Sequence, residues 1–295
     1  MTCVRRAWLT LDDGSSIDLE DVAAGYFCTS LDLGSPTVRE VANNRPDRDG
    51  IDDRTRLFGA RLISAAVTAL DDAGATIDAV ATSFGPYMTP NARPTLHYVL
   101  DRPGAPERVL TVRGAAYTWK LEGASQRDIS LQWVAADPVA YDPAQRVVTA
   151  FAGTVAGAGR AYDLRYPRTY PTGTQSPTSS TIHGDGDLPV QPLLRIYGPI
   201  TEPTVTIRAA DGTLYVVGFL SSFSVGAGAF VEVDTAARTA YYLGDPAQPV
   251  LAQLDWTTLA WPVLPPGADH VMTLAGSASG AGTQVQAIWQ DGYYA

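Results

Sequence analysis

Along most of the chain, apolar and polar positions follow each other in short alternating runs of the kind strands need. Ala7-Trp8-Leu9-Thr10-Leu11 and Ile17-Asp18-Leu19 flank Asp12-Asp13-Gly14-Ser15, which predicts a strand, a tight turn and a second strand. His97-Tyr98-Val99-Leu100 and Arg108-Val109-Leu110-Thr111-Val112-Arg113 flank Asp101-Arg102-Pro103-Gly104, a second hairpin signal. Ile129-Ser130-Leu131-Gln132-Trp133-Val134-Ala135-Ala136 alternates at period two and closes at Asp137-Pro138, so it needs one packed face and one exposed face. Arg61 to Ala69 has the composition of a strand or of a short helix, and the following Asp71-Asp72-Ala73-Gly74 favours a strand ending in a turn. Ile77 to Met88 admits a helix that Gly85 and Pro86 end.

Two stretches break this rhythm. Leu31 to Phe58 is polar, interrupted by Gly34, Pro36, Pro46 and Gly50, and predicts a long loop or arm. It intermixes Arg39, Arg45, Arg48, Arg54 and Arg56 with Asp47, Asp49, Asp52 and Asp53, the pattern of a self-complementary contact surface or of a solvated loop with local ion pairs. Thr149 to Gly186 is an Ala/Gly run followed by Pro, Thr, Ser and Gly, too poor in large aliphatics to build a core. It reads as a plain linker or as an ordered arm anchored by Tyr162, Tyr166 and Tyr170.

Leu188 to Pro203 then opens a second domain. Pro189 and Pro192 stiffen the approach, Leu193, Leu194, Ile196 and Tyr197 form an extended apolar run, and Gly198 and Pro199 stop it before Pro203 introduces another strand. Thr204–Arg208 and Thr213–Val217 make a hairpin through Asp211-Gly212, and Phe230–Asp234 is followed by Arg238–Leu243. Val271–Gly276 and Thr283–Trp289 are expected to make the final pair. Strands at this spacing without intervening helices predict a mainly β fold, with two packed antiparallel sheets of the jelly-roll sort in the second domain. The expected organisation is a β-rich domain over residues 1–148, a linker or arm over 149–187, and a β-sandwich over 188–295.

Length and composition agree with two domains, since 295 residues with 45% hydrophobic content can fill two cores. The chain holds 31 Asp and Glu against 21 Lys and Arg, a net charge of -10. Such an acidic body argues against a duplex DNA binder but suits a pore through which nucleic acid passes without sticking. Cys3 and Cys28 are the only cysteines, each read as an inert thiol, with a bridge between them requiring the N-terminal segment to fold back. Asp12 and Asp13 arrive before any apolar run of export length, and no run of about 18 apolar residues occurs. The expectation is a chain without a membrane anchor, made in the cytoplasm.

Reactive chemistry finds few candidates. His97, His183 and His270 are far apart and none has a second His or Cys at ligand spacing. His183-Gly184-Asp185-Gly186-Asp187 offers carboxylates to calcium without the ligand set of an EF-hand. Glu232, Asp234, Asp255 and Asp269 share the second domain with Tyr241, Tyr242, Trp256, Trp261 and Trp289, which raises the question of a glycosidase cleft or a sugar platform. Spacing does not show any two acids facing each other, and aromatics of a jelly roll more often fill its core. No catalytic, metal or cofactor residue is assigned.

Two regions carry a family resemblance. Leu33 to Arg61, with LGSPTVRE and NRPDRDGIDDRTRLFGAR, resembles the Arg- and Gly-containing N-terminal segment of the distal tail proteins of long-tailed (siphovirus) bacteriophages. Pro192 to Ile207, PLLRIYGPITEPTVTI, followed by the Val233-Asp234, Arg238-Thr239-Ala240, Trp261, Leu264-Pro265-Pro266-Gly267 and Trp289-Gln290-Asp291-Gly292-Tyr293 landmarks, resembles the galectin-like sandwich of that family. The resemblance implies a structural, non-enzymatic baseplate protein of the virion tail tip, with no cofactor. It implies a homo-hexameric ring that joins the tail tube protein to the tail-associated hub protein, supports receptor-binding or tail-fibre proteins, and lets DNA pass without specific binding. Ring contacts are then expected from Arg39, Arg45, Arg48, Asp52, Arg54, Arg56 and Arg61. The alternative from another class is a carbohydrate-binding adsorption module that contacts host cell-wall glycan.

Overall fold

The structure is a computed structural model that describes residues 4–39, 43–44, 51–52, 57–70, 77–121, 126–152, 178–280 and 282–294. In chain order its first elements are β1 (Val4–Thr10), β2 (Ser16–Asp18), β3 (Tyr26–Asp32), β4 (Val38–Arg39), β5 (Asn43–Asn44), β6 (Ile51–Asp52), β7 (Leu57–Phe58) and β8 (Arg61–Leu70). Helix α1 (Ile77–Phe84) and a 3-10 turn (Gly85–Met88) precede β9 (Thr95–Leu100), β10 (Glu107–Thr111), β11 (Arg113–Leu121), β12 (Gln126–Ala135) and β13 (Ala140–Tyr141). There follow β14 (Arg146–Phe151), β15 (Ser179–His183), β16 (Leu193–Tyr197), β17 (Ile200–Arg208), β18 (Leu214–Gly218) and β19 (Ser224–Val225). The last are β20 (Phe230–Asp234), β21 (Thr239–Tyr242), β22 (Asp269–Ser277), β23 (Gln284–Trp289) and β24 (Gly292–Tyr293).

The chain divides into two units, Met1–Pro143 with Tyr293–Ala295, and Ala144–Gly292. This boundary falls earlier than the 149–187 linker expected from composition. Both β14 and β15 belong to the second unit, and β24 extends a sheet of the first. The physical reason is that edge strands need little apolar content: β15 contributes only Ile182 to the core. Tyr162, Tyr166 and Tyr170 lie outside the described residues.

In the first unit, one sheet has the order β2-β1-β9-β10-β13-β24 and the other β11-β12-β8-β3. The alternation read from β12 holds, with Ile129, Leu131, Trp133 and Ala135 buried on one face. The ambiguous Arg61–Ala69 run is strand β8, aligned so that Leu131 faces Ala65 and Trp133 faces Ile63 across the ladder. Side chains paired across this ladder share one buried layer. The first sheet supplies Leu9, Leu96 and Tyr98 to the same core. Helix α1 buries Val80, Ala81 and Phe84, and the Phe84 ring meets Tyr26 edge-on at 5.8 Å. It ends at Gly85-Pro86 as expected, because proline lacks the N–H that would continue the ladder.

In the second unit, the order β14-β23-β16-β20-β21 packs against β15-β22-β17-β18, with β19 paired to β17. The apolar run that announced this domain is its central strand, β16. Leu194 pairs with Val233 on one side and Ala287 on the other, and Ile196 with Val231 and Val285. Gly198-Pro199 then passes the chain to β17 in the opposite sheet. Pro203 falls inside β17, at a bulge between Thr201 and Thr204, where its missing N–H removes no ladder bond. One expected pairing is corrected: β22 and β23 do not pair but lie in different sheets, next to β17 and β16 respectively. Among the described residues no helix is long and apolar enough to cross a membrane.

Candidate assembly surfaces and polar clusters

The Arg/Asp-rich segment folds back on itself. Val38 and Arg39 pair with Phe58 and Leu57, and Asn43 and Asn44 with Asp52 and Ile51, so the pairings nest as an antiparallel arm. Arg39 and Asp52 therefore lie on the paired strands of the arm. Arg45, Arg48, Arg54 and Arg56 lie outside the described residues. Arg61 is a correction: it is 1% exposed, on the core face of β8, and not on a surface open to a neighbour. Residue type suggested a surface arginine, but the pleat of β8 puts positions 61, 63, 65 and 67 on one side.

The four-stranded sheet of the first unit ends in two unlike edges, β11 and β3. Both are bulged, β11 between Gly114 and Ala116 and β3 between Cys28 and Ser30, where Thr29 donates its hydroxyl to the Ala66 carbonyl at 3.0 Å. On β11, Trp119 stays half-exposed with the Arg127 guanidinium 4.0 Å over its ring. Beside β3, Val4, Arg5, Glu20 and Cys28 line a cavity of about 270 Å³. Cys28 is a free thiol whose ionisation burial pushes up, and Cys3 lies outside the described residues.

The candidate acids of the second unit are each engaged. Glu232 accepts from Arg195 Nε at 2.7 Å across β16 and β20, and Asp234 accepts from the Ala236 and Ala237 N–H groups at 2.9 and 2.8 Å. Asp255 accepts from the Thr257 hydroxyl at 2.6 Å and the Thr258 hydroxyl at 2.8 Å, bonds that hold its carboxyl below the usual range. Asp269 is bound to His183 at 2.7 Å. These acids cap turns and pair cations on separate elements. Of the aromatics, Trp289, Trp261 and Tyr242 pack with the core, whereas Trp256 is 59% exposed.

A polar chain closes the sandwich. Asp269 meets His183 Nδ1, and His183 Nε2 lies 3.1 Å from Asp185, which meets Arg146 at 2.6 Å. Arg146 Nε lies 2.8 Å from Asp291 Oδ2, close in distance but without the alignment of a hydrogen bond, and Asp291 is fully buried. The Arg146 guanidinium is the main reason the Asp185 carboxyl sits below its ordinary value. The Asp185 of the HGDGD turn thus already faces a cation. Among the described residues no group of three or more His, Cys, Asp or Glu is arranged to hold a metal ion. His97 stacks on Trp8 with ring centroids 5.0 Å apart and meets Glu107 at 2.6 Å, and His270 is buried against the Pro265 carbonyl at 2.8 Å.

No protein-family model matches the chain, and no curated protein matches it in sequence. Solved structures do share its fold. The SPP1 Dit protein, a paradigm of the hub adsorption apparatus in phages infecting Gram-positive bacteria, is 12% identical, with 97% of this chain and 98% of that one covered at a TM-score of 0.64. A chain of the phage P2 baseplate in its activated conformation with calcium is 12% identical, with 97% of each chain covered at a TM-score of 0.50. At such identity the likeness is one of fold, and it extends over both units.

Proposed function

We propose that this chain is a structural tail-tip protein of a long-tailed bacteriophage, a distal tail protein whose copies close into a hexameric ring between the tail tube and the hub and adsorption proteins. The observation that carries this reading is the fold correspondence with the SPP1 Dit protein over 97% of this chain and 98% of that one. A resemblance confined to one sandwich would say little, since sandwiches host many roles. A correspondence that runs through two different β units is far more restrictive.

Features of the first unit support ring closure. A ring of identical subunits needs a contact between two different faces, and β11 and β3 are two unlike edges of one sheet. The Val38–Phe58 segment is a second candidate contact, with Arg39 and Asp52 on its strands. A net charge of -10 keeps a DNA conduit from holding its cargo. The role is structural and not catalytic, because the acids that an enzyme reading would use are engaged in turns and ion pairs. In this reading the sandwich supports receptor-binding or fibre proteins, and the protein resides at the virion tail tip.

Native mass spectrometry of the full chain tests this directly, with a sixfold mass expected. A stable monomer at high concentration, together with no ring of this protein in imaged particles, would sink the reading. Titration with host cell-wall polysaccharide separates it from a glycan-binding module, which requires saturable binding lost in Trp256→Ala.

A further inference from the structure

The first unit buries two arginines and a tyrosine together. Arg61 begins β8 and is 1% exposed, yet neither its Nε nor its Nη1 has a hydrogen-bond partner. Tyr98 on β9 is fully buried and its hydroxyl also lacks one. Arg108 stands opposite Tyr98 in the β9–β10 ladder and is 7% exposed. Its guanidinium lies 3.3 Å from the centroid of the Tyr293 ring, and its one side-chain hydrogen bond, to the Glu107 carbonyl, is long at 3.5 Å.

Buried guanidinium groups are ordinarily matched by carboxylates, because an unpaired charge out of water is strongly unfavourable. Here four carboxylates of the same unit are engaged elsewhere. Asp32 accepts from the Gly34 N–H at 2.9 Å, Glu107 meets His97 at 2.6 Å, Asp128 accepts from the Thr68 hydroxyl at 2.9 Å, and Asp137 accepts from the Tyr141 hydroxyl at 2.8 Å. Burial lowers the Arg61 guanidinium, opposed only by Tyr98 among the described residues. The unpaired donors belong to two facing sheets, Arg61 to one and Tyr98 to the other.

From these unpaired donors we infer that Arg61 and Tyr98, supported by the charge of Arg108, form a binding site for a small oxyanion in the first unit. The oxyanion accepts from the Arg61 guanidinium and from the Tyr98 O–H, which supplies the missing counter-charge with charge-assisted bonds. A carboxylate and a phosphate-type ion share this chemistry. The site is a property of the single chain and stands whether or not the chain assembles at a tail tip.

The test is thermal unfolding of the full-length protein at constant ionic strength, with sodium chloride replaced stepwise by inorganic phosphate or by acetate. Phosphate stabilises folded proteins in general by exclusion from their surface, so the readout is the difference between wild type and Arg61→Met. A site of millimolar affinity raises the Tm of wild type by about 3–6 °C at tens of millimolar ligand, along a logarithmic curve that bends at the midpoint concentration, near the Kd. Arg61→Met shows only the linear, unsaturable drift. Tyr98→Phe, which keeps the ring and removes the O–H, weakens the midpoint concentration by roughly tenfold or more, the loss of one hydrogen bond to a charged group. A lower midpoint for acetate identifies a planar carboxylate, such as an acidic side chain of a second copy; a lower midpoint for phosphate identifies a tetrahedral ion. Parallel Tm curves for wild type and Arg61→Met with both anions would overturn the inference and leave water as the partner of these donors. If Arg61→Met does not fold, an unchanged midpoint in Tyr98→Phe overturns it in the same way.

Discussion

Arg146→Met removes the cation that closes the sandwich against the buried Asp291 and the exposed Asp185. Asp291 is fully buried, whereas the Arg146 side chain is 35% exposed, so removing the arginine strands a charge that water cannot readily reach. Breaking a buried pair by deleting one partner costs about 3–5 kcal/mol. Two features reduce that here: Arg146 is more than a third exposed, and Asp291 keeps the Asp185 N–H at 3.2 Å. A cost of ~2–4 kcal/mol follows. Arg146 pairs with Trp289 in the β14–β23 ladder, so the loss appears first there. Hydrogen exchange of the Gln284–Trp289 amides is the assay, and protection is expected to fall roughly 30- to 700-fold at ~1.4 kcal/mol per factor of ten. Adding Asp291→Asn removes the stranded charge while its side-chain oxygen still accepts from Asp185, so most of the protection returns. Protection unchanged within a few-fold in the single variant, or no recovery in the double, refutes the reasoning.

Other perturbations follow from the same structure. Gly34 has φ +62°, and a Cβ there would lie 2.0 Å from the Leu62 carbonyl oxygen, so Gly34→Ala destabilises the first unit by more than about 2 kcal/mol in urea unfolding. Leu194→Ala, in the central strand of the sandwich, costs about 3–5 kcal/mol and lowers Trp-monitored unfolding midpoints. Tyr26 and Tyr98 are pushed up to about 12 by burial. Their folded values exceed the unfolded value near 10, so their contribution is complete below about 10 and is lost as pH rises towards 12. Phenolate absorbance should show these phenols ionising late, together with unfolding. Asp185 has the opposite sign: its value is lowered by Arg146, so its contribution is present above the ordinary carboxylate range and is lost as pH falls below it, as an acid titration of hydrogen exchange in β15 would report.

Much of the local structure was legible before any coordinates. The β1–β2 and β17–β18 hairpins, the alternation of β12 and the helix stop at Gly85-Pro86 all follow from contacts within a few residues, where period and turn chemistry operate. The resemblance in Leu33–Arg61 and Pro192–Ile207 reached the fold that solved structures share with this chain. Sheet membership was a different matter. β22 and β23 look like a hairpin because they are consecutive, yet each is matched by a strand that lies far away in sequence, and only the packed core selects those partners.

Arg61 shows the same limit at a single residue. Its charge and its Arg/Asp-rich neighbourhood place it on a surface, and nothing in the sequence marks the first position of β8 as core-facing. That orientation is set by the register of β8 against β12, which buries Ile63, Ala65 and Val67 and carries Arg61 inward with them. The sandwich likewise begins at β14, before the Pro/Thr/Ser stretch, and the chain returns at Tyr293 to the first unit. Composition and period determined that the chain is β, in two parts. Tertiary structure decided which strands share a sheet, where the units divide and which charges are enclosed, because those depend on long-range burial that no local pattern encodes.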